Sequence, residues 1–137
     1  MQRCIELAKL ARQHGDTPVG SLILRDGKIL AEGIEGVKTR LDPTAHAEIQ
    51  AIREGCRTLA SLDLSGCILY TTAEPCWMCS YAIRKTRISR VVIGVLIASV
   101  GGVSSTHPIL TEEIALWAPP PGVTSGVMRA ECEKLRA

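Results

Sequence analysis

Phenylalanine is absent from this 137-residue chain, and the only other aromatics of its class are two Trp and two Tyr. A protein that grips single-stranded nucleic acid by stacking bases on rings usually needs more platforms than that. Charge of one sign is lacking too. Sixteen Lys and Arg against fourteen Asp and Glu leave a formal net charge of +2, too little for a strong footprint on nucleic acid or membrane. No apolar run approaches the roughly 18 residues of a membrane span. The opening MQRCIELAKLARQHG spreads charge through its apolar positions and lacks the h-region and cleavage site of a signal peptide. Without an export signal, the six cysteines are not expected to form a disulfide framework. They read instead as core residues, metal ligands or redox groups, with the cytoplasm as the default compartment.

What is present fits one compact domain over residues 1–137, with 46% hydrophobic residues to build a core. No repeat or low-complexity segment interrupts it. Cys4, Leu7, Ala8 and Ala11 share a helical face over 4–13, and Gly15 is placed to stop that helix. Two β-like runs, Val19–Leu24 and Lys28–Glu32, flank Asp26-Gly27, a strong hairpin signal. Asp42-Pro43-Thr44 reads as the cap and first turn of a second helix, its buried stripe being Ala45, Ile49, Ile52 and Cys56. Cys67–Thr72 is a buried strand, Pro75 opens a helix through about Lys85, and Arg90–Leu96 is a second buried strand. That strand–helix–strand unit predicts parallel pairing with a right-handed crossover. A short strand near Gly122–Thr124 and a helix over Val127–Leu135 complete the layer, beyond a stretch with turn signals at Gly101-Gly102 and Ser104-Ser105 and a stiff Pro119-Pro120-Pro121. The order predicts an α/β fold, a three-layer α/β/α sandwich around a mixed sheet.

Three residues stand out as metal ligands: His46 in THAE, and Cys76 and Cys79 in PCWMC. Two cysteines three apart at a helix start lie on one face, where the helix N-terminus favours thiolates. Three protein ligands with one open position is the catalytic zinc arrangement, not the structural one. Glu48, two residues after His46, is poorly placed to ligate the same ion but well placed to reach a water on it. Zinc brings the pKa of such a water toward about 7, and a carboxylate can pass its proton to a ring nitrogen and then to a departing amine. The pattern is His46-Ala47-Glu48, twenty-six residues, then Pro75-Cys76-Trp77-Met78-Cys79. H-x-E followed by P-C-x-x-C is the signature of zinc nucleobase deaminases.

On these residues the chain closely resembles the cytidine-deaminase-like superfamily. DPTAHAEIQAIREG and LYTTAEPCWMC resemble most the branch that holds tRNA adenosine deaminases, guanine deaminases and cytosine deaminases. The likeness runs from Thr17-Pro18-Val19-Gly20 through Arg90-Val91-Val92-Ile93-Gly94, over half the chain. It implies a five-stranded sheet, a homodimer, Zn2+ held by His46, Cys76 and Cys79, Glu48 as proton shuttle, and substrate contact from the Ala47 N–H. Two departures stand beside it. Where relatives carry an EGxN pattern whose Asn contacts the ligand, this chain reads Glu32-Gly33-Ile34-Glu35. An ionised Glu only accepts hydrogen bonds, so Glu35 is expected to select a substrate presenting N–H or O–H groups. The final VTSGVMRAECEKL resembles the closing helix of the tRNA-acting enzymes without their basic, aromatic tail. With the low charge, this favours a free nucleobase, a nucleoside or a related aminoheterocycle over tRNA.

Other readings are weighed beside these. A structural zinc clip would need a fourth ligand, and Cys4, Cys56, Cys67 and Cys132 sit in apolar patterns. A redox pair at Cys76 and Cys79 leaves His46 and Glu48 unexplained. A non-catalytic zinc-binding module is a third possibility. Glu74 either lines the pocket or accepts backbone N–H bonds at the helix start. Trp77 reads as packing or dimer contact, and His107 as a lid residue over the pocket or a solvated loop histidine.

Overall fold

In the computed structural model, which describes residues 1–137, Asp26 and Gly27 turn the first hairpin with φ of 51° and 74°. Positive φ at both positions is the mark of a type I′ turn, whose twist matches the strands it joins. Those strands are β1 (Gly20–Arg25) and β2 (Lys28–Ile34), paired antiparallel. On its other side β1 pairs antiparallel with β3 (Ile68–Ala73). Then β3, β4 (Arg90–Val95) and β5 (Gly122–Ser125) run parallel, giving a five-stranded mixed sheet in the order β2-β1-β3-β4-β5.

Five helices cover it: α1 (Gln2–Gln13), α2 (Val37–Arg40), α3 (Ala47–Leu59), α4 (Trp77–Lys85) and α5 (Arg129–Leu135). On one face, Ile23, Leu69, Val91 and Ile93 pack with Ala51 and Ile52 of α3 and Ile83 of α4. Side chains alternate across a strand, so Leu22 and Val92 point the other way, and they too are buried. There Ile5 and Ala8 of α1 meet Cys132 and Leu135 of α5. The three-layer arrangement follows from burying both faces. No helix is long and apolar enough to cross a membrane.

Two expectations need correction. The helix anticipated from Asp42-Pro43-Thr44 begins at Ala47, with His46 as its cap. Asp42 instead closes a local turn, its Oδ1 accepting the Thr44 N–H at 2.8 Å and the Thr44 hydroxyl at 2.7 Å. The buried stripe is also rotated. Ala47, Glu48, Ala51, Ile52 and Gly55 are buried, while Ile49 and Cys56 are only half-buried. Small residues face the sheet because α3 lies very close to β2, and that rotation turns Glu48 inward.

Between β4 and β5 the chain runs through turns without a further helix. Arg84, buried on α4, holds this connection: Nη1 donates to the carbonyls of Ile109 (2.9 Å) and Glu112 (2.6 Å), and Nη2 to that of Ala118 (2.8 Å). Its guanidinium also lies 4.9 Å from the centroid of the Trp117 ring.

Candidate active site

The carboxyl end of β3 delivers the chain through Glu74 and Pro75 to Cys76, which caps α4 as His46 caps α3. Two helix N-termini, each with partial positive charge, therefore flank one point beside the sheet. His46 Nδ1 lies 3.5 Å from Cys76 Sγ and 3.6 Å from Cys79 Sγ. The three donor atoms all fall within 4.8 Å of one another. Ligand atoms on a tetrahedral zinc, with Zn–S about 2.3 Å and Zn–N about 2.0 Å, lie about 3.5–3.8 Å apart. One imidazole nitrogen and two sulfurs at this spacing fit zinc, and no fourth protein donor joins them.

The charges are arranged to match. The Cys76 thiol is drawn down to about 4, first by the Cys79 thiol and then by His46, against burial. Cys79 is pushed up, first by its hydrogen bond to Cys76 and then by burial. His46 rises to about 9, chiefly through its bond to Cys76. These shifts favour the thiolate at Cys76 and the protonated ring at His46; a divalent cation held by the three donors would take the place of their protons.

Glu48 is 3% exposed, and burial raises its pKa. Its Oε2 accepts from Cys79 Sγ at 3.6 Å, and its Oε1 accepts the Thr71 hydroxyl at 2.9 Å. Thr71 escaped the sequence reading. Its signal was a hydroxyl on the core-facing side of a buried strand, two residues from Leu69, where a polar atom needs a partner. Glu35, also buried, accepts the Ala47 N–H at 3.1 Å, and burial lifts its carboxyl to about 7.

Glu74 faces neither the donor cluster nor the first turn of α4. Its carboxylate accepts the N–H groups of Ile97, Val103 and Ser104 and the Ser104 hydroxyl. It is the post on which the 97–104 loop hangs. His107 lies outside the donor cluster, exposed, edge-on to Trp77 with ring centroids 5.5 Å apart. Trp77 Nε1 in turn donates to Ser105 Oγ at 3.1 Å. A cavity of about 490 Å³ opens elsewhere, along Tyr81, Lys85 and Trp117, and no cluster residue lines it. The site is recognised by its donors, not by cavity size.

Residues 1–95 match the family model described as the cytidine and deoxycytidylate deaminase zinc-binding region. The chain belongs to that family. It is a zinc-type deaminase, a hydrolase acting on a C–N bond. A tRNA-specific adenosine deaminase of Aquifex aeolicus is 47% identical over 105 residues, 77% of this chain and 70% of that protein. A guanine deaminase of Bacillus subtilis is 54% identical over 70 residues, 51% of this chain and 45% of that one. A structure from a study of A-to-I editing by tRNA:A34 deaminases superposes with a TM-score of 0.92 at 32% identity, covering 98% of this chain and 96% of its own.

Proposed function

We propose that this deaminase converts adenosine to inosine within a structured RNA of the tRNA type. One observation carries the reading: the tRNA:A34 deaminase structure superposes with a TM-score of 0.92 over 98% of this chain and 96% of its own, whereas the structure of the B. subtilis guanine deaminase superposes with a TM-score of 0.67 over 69% of this chain and 61% of its own. The preference for a free base, which rested on low net charge and few aromatics, gives way to that full-length similarity. Trp77, 39% exposed at the first position of α4, supports it by offering a stacking surface beside the donor cluster for a neighbouring base. None of the six cysteines is paired in a disulfide, which suits a reducing cytoplasm.

In this reading His46, Cys76 and Cys79 hold zinc, which when bound lowers the pKa of a water molecule toward neutrality. Glu48, with one oxygen turned toward the cluster, takes a proton from the attacking water. It returns that proton to the ring nitrogen beside the reacting carbon, then carries a second to the exocyclic nitrogen. A C–O bond forms at C6 of adenine, the C6–N6 bond breaks, and ammonia leaves. Burial of Glu48 keeps competing water from the carboxylate. Glu35, which accepts the Ala47 N–H, offers its carboxyl group to a substrate N–H or O–H.

The test is inosine formation and ammonia release by the zinc-loaded protein on an anticodon stem-loop with adenosine at the wobble position. Free guanine, adenine and cytosine, their nucleosides and aminotriazines run alongside, with Glu48→Ala as control. Glu48-dependent inosine in the stem-loop supports the proposal. Turnover of a free base with a silent stem-loop overturns it in favour of a small-molecule deaminase.

A further inference from the structure

Glu48 can serve the reaction only if its carboxyl group keeps one orientation, and its own helix does little to fix that. The residue sits in the first turn of α3, and the torsion about its last side-chain bond has only a broad intrinsic preference. What fixes it comes from the sheet. Thr71, fully buried in β3, lies with Oγ1 2.9 Å from Glu48 Oε1. The same hydroxyl lies 3.0 Å from the carbonyl oxygen of Ala73. Oε2, the other carboxylate oxygen, is the one 3.6 Å from Cys79 Sγ.

We infer that Thr71 is the positioning residue of the proton shuttle: its hydroxyl tethers one oxygen of Glu48 so that the other is presented to the donor cluster. This rests on the proposed role of Glu48. A β-branched side chain suits the task, because χ1 of a strand threonine is restricted and the hydroxyl is thereby fixed to the sheet. A hydroxyl has one proton to donate, and Thr71 can donate it to Oε1. A proton taken up on Oε2 leaves Oε1 an acceptor, so the bond persists. The carboxyl therefore remains tethered through the cycle without moving.

The experiment compares wild type, Thr71→Val and Thr71→Ser as zinc-loaded proteins. Valine keeps the shape and removes the hydroxyl; serine keeps the hydroxyl. Loss of a hydrogen bond to a charged group predicts a fall in kcat of about ten- to a hundredfold for Thr71→Val. KM stays within about twofold, because the contact touches the shuttle and not the substrate. Thr71→Ser recovers most of the rate. An infrared spectrum of the same samples gives a readout apart from turnover: the Glu48 carboxyl band, assigned by its loss in Glu48→Gln, shifts in Thr71→Val and returns in Thr71→Ser. Wild-type kcat in Thr71→Val, a loss carried by KM, or an unshifted Glu48 band overturns the inference. Wild-type silence on every substrate defeats the proposed function instead, and the infrared band still judges the tether.

Discussion

Glu35 Oε2 accepts the backbone N–H of Ala47 at 3.1 Å, so the residue just beyond β2 closes onto the first residue of α3. Family resemblance gives that N–H to the substrate; here a carboxylate already holds it. A ligand offering an acceptor must displace Glu35, while one offering a donor can bond the carboxylate with the contact intact. Against the Asn that the family resemblance implies at this position, Glu35 is a group with different logic, not merely a different shape.

That contact has a pH signature. Burial raises the Glu35 carboxyl from 4.5 to about 7 in the folded protein. Between those values the folded chain keeps a proton that the unfolded chain has released, so stability falls as pH rises through about 7. Urea midpoints at pH 5 and pH 7.5 should show Glu35→Gln gaining stability relative to wild type across the interval. Other groups set the common slope: Glu48 is shifted the same way as Glu35, and Cys76, held down at about 4, acts in the opposite sense. Equal changes in both proteins would mean that Glu35 is ordinary in the folded state.

Glu48 itself should show activity held at the expense of stability. An ionised carboxylate buried at 3% exposure is unfavourable even with the Thr71 hydroxyl. Glu48→Gln keeps an oxygen for that hydroxyl and removes the charge. Deamination should drop by about 10²- to 10⁴-fold, while thermal unfolding moves up by about 3–5 °C, the equivalent of about 1 kcal/mol. Calorimetry with a zinc assay checks this; a lower melting temperature at full zinc content would contradict it.

Glu74 makes a prediction about dynamics. Four donors converge on its carboxylate, three of them the amides of Ile97, Val103 and Ser104. Removing the acceptor orphans them, at about 1–3 kcal/mol for each that stays buried. The loop relieves this by opening. In Glu74→Ala those three amides should exchange with solvent at least about tenfold faster, whereas amides of β3 keep their protection. Unchanged exchange at Val103 and Ser104 would show that the loop is held by something other than Glu74.

These features differ in how far a linear reading reaches them. The donor set was legible as spacing, and the chain does bring its three donor atoms together. The hairpin was legible because Asp-Gly specifies its own dihedrals. The start of α3 was misread because an Asp before Pro can cap a helix or close a turn, and the Asp42–Thr44 bonds show the turn. Thr71 and Glu74 act on partners 23 to 30 residues away, where no local pattern can register the contact. The 97–121 connection has no apolar period at all; its course depends on Arg84, whose burial only the fold reveals.

The packing of α3 on β2 offers a paired test of what places the site. Gly33 faces the first turn of α3 so closely that a Cβ there would lie 2.0 Å from the Ala47 carbonyl oxygen and 2.6 Å from the Ala51 nitrogen. Both are backbone atoms, so Gly33→Ala must push the helix start outward, carrying His46 and Glu48 away from Cys79. Gly55, two turns along the same helix, would meet only side chains of Ile23, Leu30 and Leu64 at 3.5–3.7 Å, an ordinary contact. Gly55→Ala should be neutral or stabilising by up to about 1 kcal/mol, since alanine is the better helix former. Gly33→Ala should lose about 1–3 kcal/mol, bind zinc less tightly and lose more activity than its stability alone explains. Melting temperature, zinc content and kcat for the two variants decide the matter. If Gly33→Ala keeps full zinc and wild-type turnover, the position of His46 and Glu48 is set by Thr71 and the cysteines alone, and the close approach of β2 to α3 serves only the core.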